Sequence, residues 1–178
     1  MKLKTRDYIL SSLFAALMAL CSWLSVPAAV PFTMQTFGVF LSVALLGGRR
    51  GVLAVTVYIM LGAVGLPVFS GFRGGLGVLF SATGGYIMGF LIAALIMWGL
   101  ERRTSLLASM LAGQLMCYAF GTAWFVLVYT SGGRTMSFLS ALMCCVVPFV
   151  VPDAVKIALA LALSLRLRRI PAIREMLS

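Results

Sequence analysis

The chain has 178 residues, of which 62% are hydrophobic and 10% charged, and its mean hydropathy is +1.11. A soluble domain of this size could not bury so much apolar surface, so the composition predicts an integral membrane protein made of one domain, residues 1–178. The net charge of +10 does not indicate nucleic-acid binding, because the basic residues lie between apolar runs and not on one polar face.

Six apolar segments follow one another along the chain, at residues 8–30, 35–48, 51–69, 76–100, 104–129 and 137–165. Since about 20 residues cross a bilayer, they predict an all-α membrane protein with six transmembrane helices. The second segment is short and the sixth contains Pro148 and Pro152. We therefore expect irregular backbone that lines a cavity in these two segments.

The first segment carries two stripes of small residues spaced four apart, Ser12 with Ala16 and Ser11 with Ala15 and Ala19. Small residues let helices approach closely. The neighbouring helix can belong to this chain or to another subunit, and the spacing does not decide between them.

Basic residues orient the six segments. If the segments alternate in direction, Arg73 and Arg134 fall on one side of the membrane. Apart from Lys156, which lies within the last segment, every other lysine and arginine falls on the opposite side. Because cytoplasmic loops carry the excess of basic residues, both termini are predicted to be cytoplasmic.

Asp153 and Lys156 form the one ionisable pair set inside an apolar run. A charge at membrane depth costs roughly 2.5 to 3.5 kcal/mol by insertion scales, so this pair predicts a ligand site. Residues three apart share one face of a helix. Pro152 suits the first turn of a helix, which predicts a helix start there and a positive dipole end beside Asp153. The alternative is a self-neutralising pair that only holds helices together.

Four polar residues lie at a similar predicted depth. Helical rise, counted outward from the nearest cytoplasmic arginine of each segment, gives roughly 20 to 24 Å for all four in a core about 30 Å thick. They are Gln35, Tyr86, Tyr118 and Asp153. This convergence predicts a pocket entered from outside. Four unrelated polar residues near the interface are the alternative, since tyrosine favours that region.

The residue types present disfavour metal and hydrolytic chemistry. The sequence has no histidine, and its cysteines lie in apolar stretches without C-x-x-C spacing, namely Cys21, Cys117, Cys144 and Cys145. We predict buried thiols, with no metal site and no cofactor. An intramembrane enzyme is disfavoured because the other carboxylates flank or lie outside the spans, which leaves Asp153 without a second carboxylate.

Four stretches of the sequence together carry a resemblance to a known family. They are PFTMQTFGVFLSVALLGGRRG from residue 31, GLPVFSGFRGGLGVLFSATGGYIMGF from 65, YAFGTAWF from 118 and VPDAVK from 151. The most specific parts are P-x-T-x-Q at 31–35, the glycine-rich block at 65–86 and P-D-x-x-K at 152–156. The chain resembles the biotin-specific substrate-binding subunits of energy-coupling-factor vitamin transporters, the BioY family.

The resemblance implies a non-enzymatic transporter subunit of the prokaryotic plasma membrane. Such subunits capture biotin from outside and deliver it together with a transmembrane coupling subunit and two ATPase subunits. The glycine-rich stretch here matches neither G-x-x-x-x-G-K-[ST] nor G-x-G-x-x-G, so ATP is expected to be used by another polypeptide. The resemblance also implies docking on the coupling subunit through an A-x-x-x-A motif, which Ala15 and Ala19 match.

The substrate-binding residues expected from the polar pattern and the resemblance are Thr33, Gln35, Arg73, Thr83, Tyr86, Tyr118, Asp153 and Lys156. Asp153 is expected to accept a ureido N–H of biotin and Gln35 to meet the ureido carbonyl. Either Lys156 or Arg73 would neutralise the carboxylate of the tail. Aromatic side chains, including Trp124, would flank the rings. The alternative function is a stand-alone secondary transporter or channel for a small vitamin-like solute.

Overall fold

The computed structural model describes residues 4–26, 30–133 and 136–177, most of which are helical. Arg134, expected on the outer side, lies outside the described residues. The helices are α1 (Thr5–Trp23), α2 (Gln35–Leu46), α3 (Gly48–Ala63), α4 (Leu76–Leu79), α5 (Gly84–Leu100), α6 (Leu106–Ser131), α7 (Phe138–Cys145), α8 (Val147–Leu167) and α9 (Pro171–Leu177). Helix α5 packs on α6, α1 on α3, and α2 on α8. The predicted helical class is confirmed, with one small hairpin added.

The first helix ends earlier than its predicted segment because the chain turns back on itself. After α1 it forms an antiparallel hairpin of β1 (Ser25–Val26) and β2 (Phe32–Thr33). The N–H of Met34 then donates to the Cys21 carbonyl at 3.2 Å, which ties the hairpin to the last turn of α1. Gln35 consequently becomes the first residue of α2.

The third helix also ends before its predicted segment does. Gly65 has a φ of 106°, a conformation that glycine adopts without strain and that commonly ends helices. The following stretch, residues 64–75, is fastened to two helices. Ser22 Oγ on α1 donates to the Val68 carbonyl at 2.6 Å, and the Tyr58 hydroxyl on α3 donates to the same carbonyl at 3.0 Å.

Helices α5 and α6 approach each other closely because glycines face the partner helix. A Cβ atom at Gly85 would overlap the side chain of Trp124, and one at Gly89 would lie 2.9 Å from Cys117 Sγ. The absence of side chains at these two positions therefore sets the separation of the helices, as small residues do in membrane proteins.

The predicted break in the last segment occurs, but not at Pro152. Helix α7 ends at Cys145 and α8 begins at Val147, with Pro148 in its first turn, where a missing N–H costs little. Pro152 lies inside α8, so the predicted helix start at Pro152 is wrong. Asp153 is therefore in the second turn of α8, beyond the first turn in which the helix dipole acts.

Two helices among the described residues, α6 and α8, are long and apolar enough to cross a membrane, judged by length and composition alone. Helices α2 and α5 are apolar but shorter. Large apolar side chains are exposed along the helices, such as Leu115 and Val151. Cys144 on α7 is also exposed, so the prediction of a buried thiol is wrong at that position, while Cys21, Cys117 and Cys145 are buried.

The starts of α1 and α3 hold the C-terminal helix. Arg50 Nε lies 2.8 Å from Asp7 Oδ1, and Arg50 Nη1 donates to the Leu177 carbonyl at 2.6 Å. Arg6 Nη1 donates to the Glu175 carbonyl at 3.1 Å. Helix α9 and the start of α1 therefore lie at the same end of the molecule.

Candidate functional site

All eight residues predicted for the substrate site line one pocket. They are Thr33, Gln35, Arg73, Thr83, Tyr86, Tyr118, Asp153 and Lys156. Sites for small molecules are typically concave and mostly apolar, with a few polar groups that converge on the ligand, and this lining has that character. The predicted convergence of one glutamine, two tyrosines and one aspartate from four segments is confirmed.

The carboxylate of Asp153 is the centre of the polar network in this pocket. Its Oδ2 accepts from the Tyr118 hydroxyl at 2.5 Å and from Gln114 Nε2 at 2.9 Å. Its Oδ1 accepts from Lys156 Nζ at 2.7 Å and from Thr36 Oγ1 at a longer 3.4 Å. A carboxylate offers about four acceptor sites, so donors of this chain already engage Asp153 fully.

Lys156 is buried and paired on two sides. Its ammonium forms the ion pair with Asp153 one turn back along α8, and it lies 4.0 Å from the ring centroid of Phe32. A buried cation is tolerated when it is paired and hydrogen-bonded, and an aromatic face adds a further attraction. The Phe32 ring stacks on Phe149, which lines the pocket. Lys156 therefore links the ion pair to an aromatic wall.

Gln35 is oriented by partners at both ends of its amide. Thr33 Oγ1 donates to Gln35 Oε1 at 2.9 Å, and Gln35 Nε2 donates to the Tyr58 hydroxyl at 2.5 Å. The Tyr58 hydroxyl in turn donates to the Val68 carbonyl, so each hydrogen bond in this series has a defined donor and acceptor. Since an amide nitrogen carries two protons, Gln35 retains one N–H for a ligand acceptor.

Residues at the start of α5 form another wall. The hydroxyls of Tyr86 and Thr122 share a hydrogen bond at 3.0 Å, which fixes the Tyr86 ring. Thr83 Oγ1 lies 3.3 Å from Ser81 Oγ. Trp124, expected to flank the ligand, instead donates its Nε1 to the Ser81 carbonyl at 3.0 Å and lies outside the pocket lining.

Arg73 is the exposed member of the lining. Its backbone pairs with Phe69, and its Nε donates to the Ser70 carbonyl at 3.1 Å. A guanidinium has five N–H donors, so the remaining four can meet an anion that enters the pocket. Arg73 and Lys156 thus differ sharply, since one is exposed and the other is buried beside a carboxylate.

The sequence analysis missed two residues that reach the central carboxylate, Gln114 and Thr36. Gln114 lies one turn before Tyr118 on α6, where side chains four apart share a face. Thr36 directly follows Gln35 in the chain. A search for polar residues one turn from each predicted site residue would have found Gln114.

The predicted docking residues are not on the surface of the molecule. Ala15 is 0% exposed and Ala19 is 7% exposed, on a helix that packs against α2 and α3. Side chains enclosed by their own fold offer little surface to another subunit, so this burial disfavours Ala15 and Ala19 as the docking face. The neighbouring stripe, Ser12 and Ala16, is exposed.

This combination of fold and site defines a class of protein. Fixed donors and acceptors line a pocket inside a small, apolar, helical chain. Pockets of this kind are typical binding sites for small molecules. The chain is a helical, strongly apolar protein with a polar pocket of the kind that takes small molecules.

Comparison with known proteins identifies the family. The BioY family model matches residues 1–172. The chain is 41% identical over 174 residues to the biotin transporter BioY of Thermotoga maritima, and the alignment covers 95% of this chain and 99% of the relative. It is 38% identical over 167 residues to the probable biotin transporter BioY of Pyrococcus horikoshii, and the alignment covers 93% of this chain and 98% of the relative. The chain belongs to the BioY family, as its sequence motifs predicted.

The fold is also similar to a solved structure, the crystal structure at 2.1 Å of the S-component for biotin from an ECF-type ABC transporter. The TM-score is 0.83, with coverage of 99% of this chain and 100% of that chain. Sequence identity is 22%, so this likeness concerns the fold.

Proposed function

We propose that this protein is the biotin-binding membrane subunit of an energy-coupling-factor transporter and captures biotin from the outer side for ATP-driven uptake. The buried polar pocket around Asp153 is the observation that carries the proposal. Biotin presents two ureido N–H groups, a ureido carbonyl, an apolar thioether ring and a carboxylate tail. The pocket offers amide and hydroxyl groups, aromatic side chains and an exposed guanidinium, which are complementary in kind to these groups.

The charged groups of the pocket assign each end of the ligand to one part of it, because some of these groups are already paired and one is not. Asp153 neutralises Lys156 at 2.7 Å, so the polar ureido ring, which is uncharged, belongs at this buried end. Gln35 donates its remaining N–H to the ureido carbonyl. Arg73 is exposed, and no carboxylate pairs with it in the part of the chain that the structure describes. The tail carboxylate therefore lies at Arg73 instead of Lys156.

The membrane arrangement belongs to the same proposal. One domain of six transmembrane helices lies in a prokaryotic plasma membrane with both termini in the cytoplasm. The contact between Arg6 and the Glu175 carbonyl supports termini on one side. A transmembrane coupling subunit and two ATPase subunits supply the motor, and this chain acts as a binding subunit and not as an enzyme.

Docking on the coupling subunit is assigned to the exposed stripe of α1. Ser12 and Ala16 are small and exposed, so they allow a helix of another subunit to approach closely. This face replaces Ala15 and Ala19, which are buried.

Two measurements test the proposal. Purified protein titrated with a panel of vitamins is expected to bind biotin and to leave the others unbound. In liposomes, rapid saturable biotin uptake is expected only when the coupling and ATPase subunits and ATP are present. Equal uptake by this protein alone would instead support the alternative function, a stand-alone secondary transporter or channel.

A further inference from the structure

Gln114 carries a buried acceptor that nothing in the described chain uses. The residue is 5% exposed and lines the pocket. Its Nε2 donates to Asp153 Oδ2 at 2.9 Å. Its Oε1 is buried without a hydrogen-bond partner among residues 4–26, 30–133 and 136–177, and no other pocket-lining side chain in those ranges has such an atom. An unsatisfied buried acceptor is unfavourable. Native proteins rarely keep such an atom unless a ligand or an ordered water bonds to it.

The amide of Gln114 has one orientation because of its neighbour. Rotating it by half a turn would place Oε1 against a carboxylate oxygen of Asp153, so two acceptors would face each other. The donor side of the amide must therefore point at Asp153. The acceptor side is left for another molecule.

Asp153 itself is poorly placed to receive a ligand donor. Three of its four partners lie at 2.9 Å or less, namely Gln114, Tyr118 and Lys156. A ligand N–H would have to displace one of these donors or the longer contact from Thr36. At Gln114 Oε1 nothing has to be displaced.

We propose that Gln114 Oε1 accepts a ureido N–H of the bound ligand and that Asp153 is a positioning residue, which holds the Gln114 amide in the accepting orientation. This inference rests on the proposed biotin function and changes the role expected for Asp153. The pocket then selects a cyclic urea or a related ring that presents an N–H donor at the buried end. Ring compounds of the same shape without that donor are discriminated against.

The test uses two biotin analogues, each a cyclic carbamate in which a different ureido N–H is replaced by oxygen. This exchange removes one donor with little change in size. The full-length wild-type protein is expected to bind one of the two carbamates roughly tenfold to a hundredfold more weakly than biotin. Gln114→Leu is expected to bind biotin weakly and to lose the discrimination between biotin and this carbamate. Comparing the effect of the ligand change in wild type and in Gln114→Leu forms a double-mutant cycle, which measures the coupling between Gln114 and the N–H group.

Control variants separate the contact from general damage to the pocket. Gln35→Leu removes another pocket amide and is expected to weaken biotin binding while keeping the discrimination between biotin and the carbamates. Because Asp153 acts through Gln114, Asp153→Leu is expected to lose the discrimination, and Asp153→Asn, which keeps an oxygen acceptor, to retain part of it. Gln114→Met is the second variant at position 114 if Gln114→Leu does not fold, since methionine adapts to irregular space.

The outcomes are distinct. Wild-type protein that binds biotin and both carbamates equally well overturns the inference but leaves the proposed function intact, and this result needs no variant. Discrimination that persists in Gln114→Leu or Gln114→Met has the same meaning. Wild-type protein that binds no biotin overturns the proposed function and the inference together.

Discussion

The Tyr118 hydroxyl donates to Asp153 Oδ2 at 2.5 Å and so joins α6 to α8 inside the pocket. A hydrogen bond to a charged group contributes about 1.5 to 3 kcal/mol, whereas a neutral one contributes about 0.5 to 1.5. We expect Tyr118→Phe to lower the free energy of unfolding by the larger amount and Tyr86→Phe, whose partner is the Thr122 hydroxyl, by the smaller. Thermal unfolding of both variants measures the difference, and equal losses would show that the charge of Asp153 adds nothing.

The ion pair in α8 makes a prediction about stability. Asp153→Asn leaves Lys156 buried without a carboxylate, and removing one partner of a buried pair costs about 3 to 5 kcal/mol. We therefore expect a much lower Tm, together with weaker biotin binding. The double variant Asp153→Asn, Lys156→Met removes the stranded cation and is expected to be more stable than the single variant. A double variant no more stable than the single one would mean that Lys156 finds another partner or water.

Adjacent residues of α1 provide a matched test of the docking face. Ala15 is fully buried, so Ala15→Trp overpacks the core and is expected to unfold the protein. Ala16 is exposed, so Ala16→Trp is expected to fold, bind biotin and fail to co-purify with the coupling subunit. Leu115→Trp, at an exposed position on α6, is the control that should still assemble. Normal assembly of Ala16→Trp would place the docking face off this stripe.

Charge recognition of the ligand tail is tested at Arg73. Exposed ion pairs are worth up to about 1 kcal/mol, so Arg73→Gln is expected to raise the Kd for biotin by up to about fivefold. The same variant should leave unchanged the Kd for biotin amide, whose tail is uncharged. Titration of wild type and variant with both ligands gives the comparison. A similar rise in Kd for both ligands would show that Arg73 does not bind the tail carboxylate.

Counting helical rise predicted the pocket because the polar residues concerned lie within long apolar runs. Tyr86 lies in α5 and Tyr118 in α6, and both helices continue toward a basic end, so residue number converts into distance along the helix. The count for Gln35 crosses the break between α2 and α3. The chemistry of the carboxylate was also evident from the sequence, since Asp153 and Lys156 stand alone among apolar neighbours.

Features that depend on packing between helices could not be predicted in this way. The spacing of small residues showed two stripes on α1, but only the positions of α2 and α3 decide that Ala15 is enclosed and Ala16 is not. Pro152 has the local preference of a helix start, yet α8 begins earlier and continues through it. Gln114 gained its role from a carboxylate 39 residues further along the chain.

Asp153 is also the last of its group to be synthesised, apart from Lys156. Thr36, Gln114 and Tyr118 all precede it in the chain, and proteins are made from the N-terminus. Until α8 has been synthesised and has inserted, the donors on α2 and α6 therefore lack their acceptor. Burying a donor without an acceptor is unfavourable. A chain that ends before α8 would therefore lack the one carboxylate that these three donors share in the complete fold.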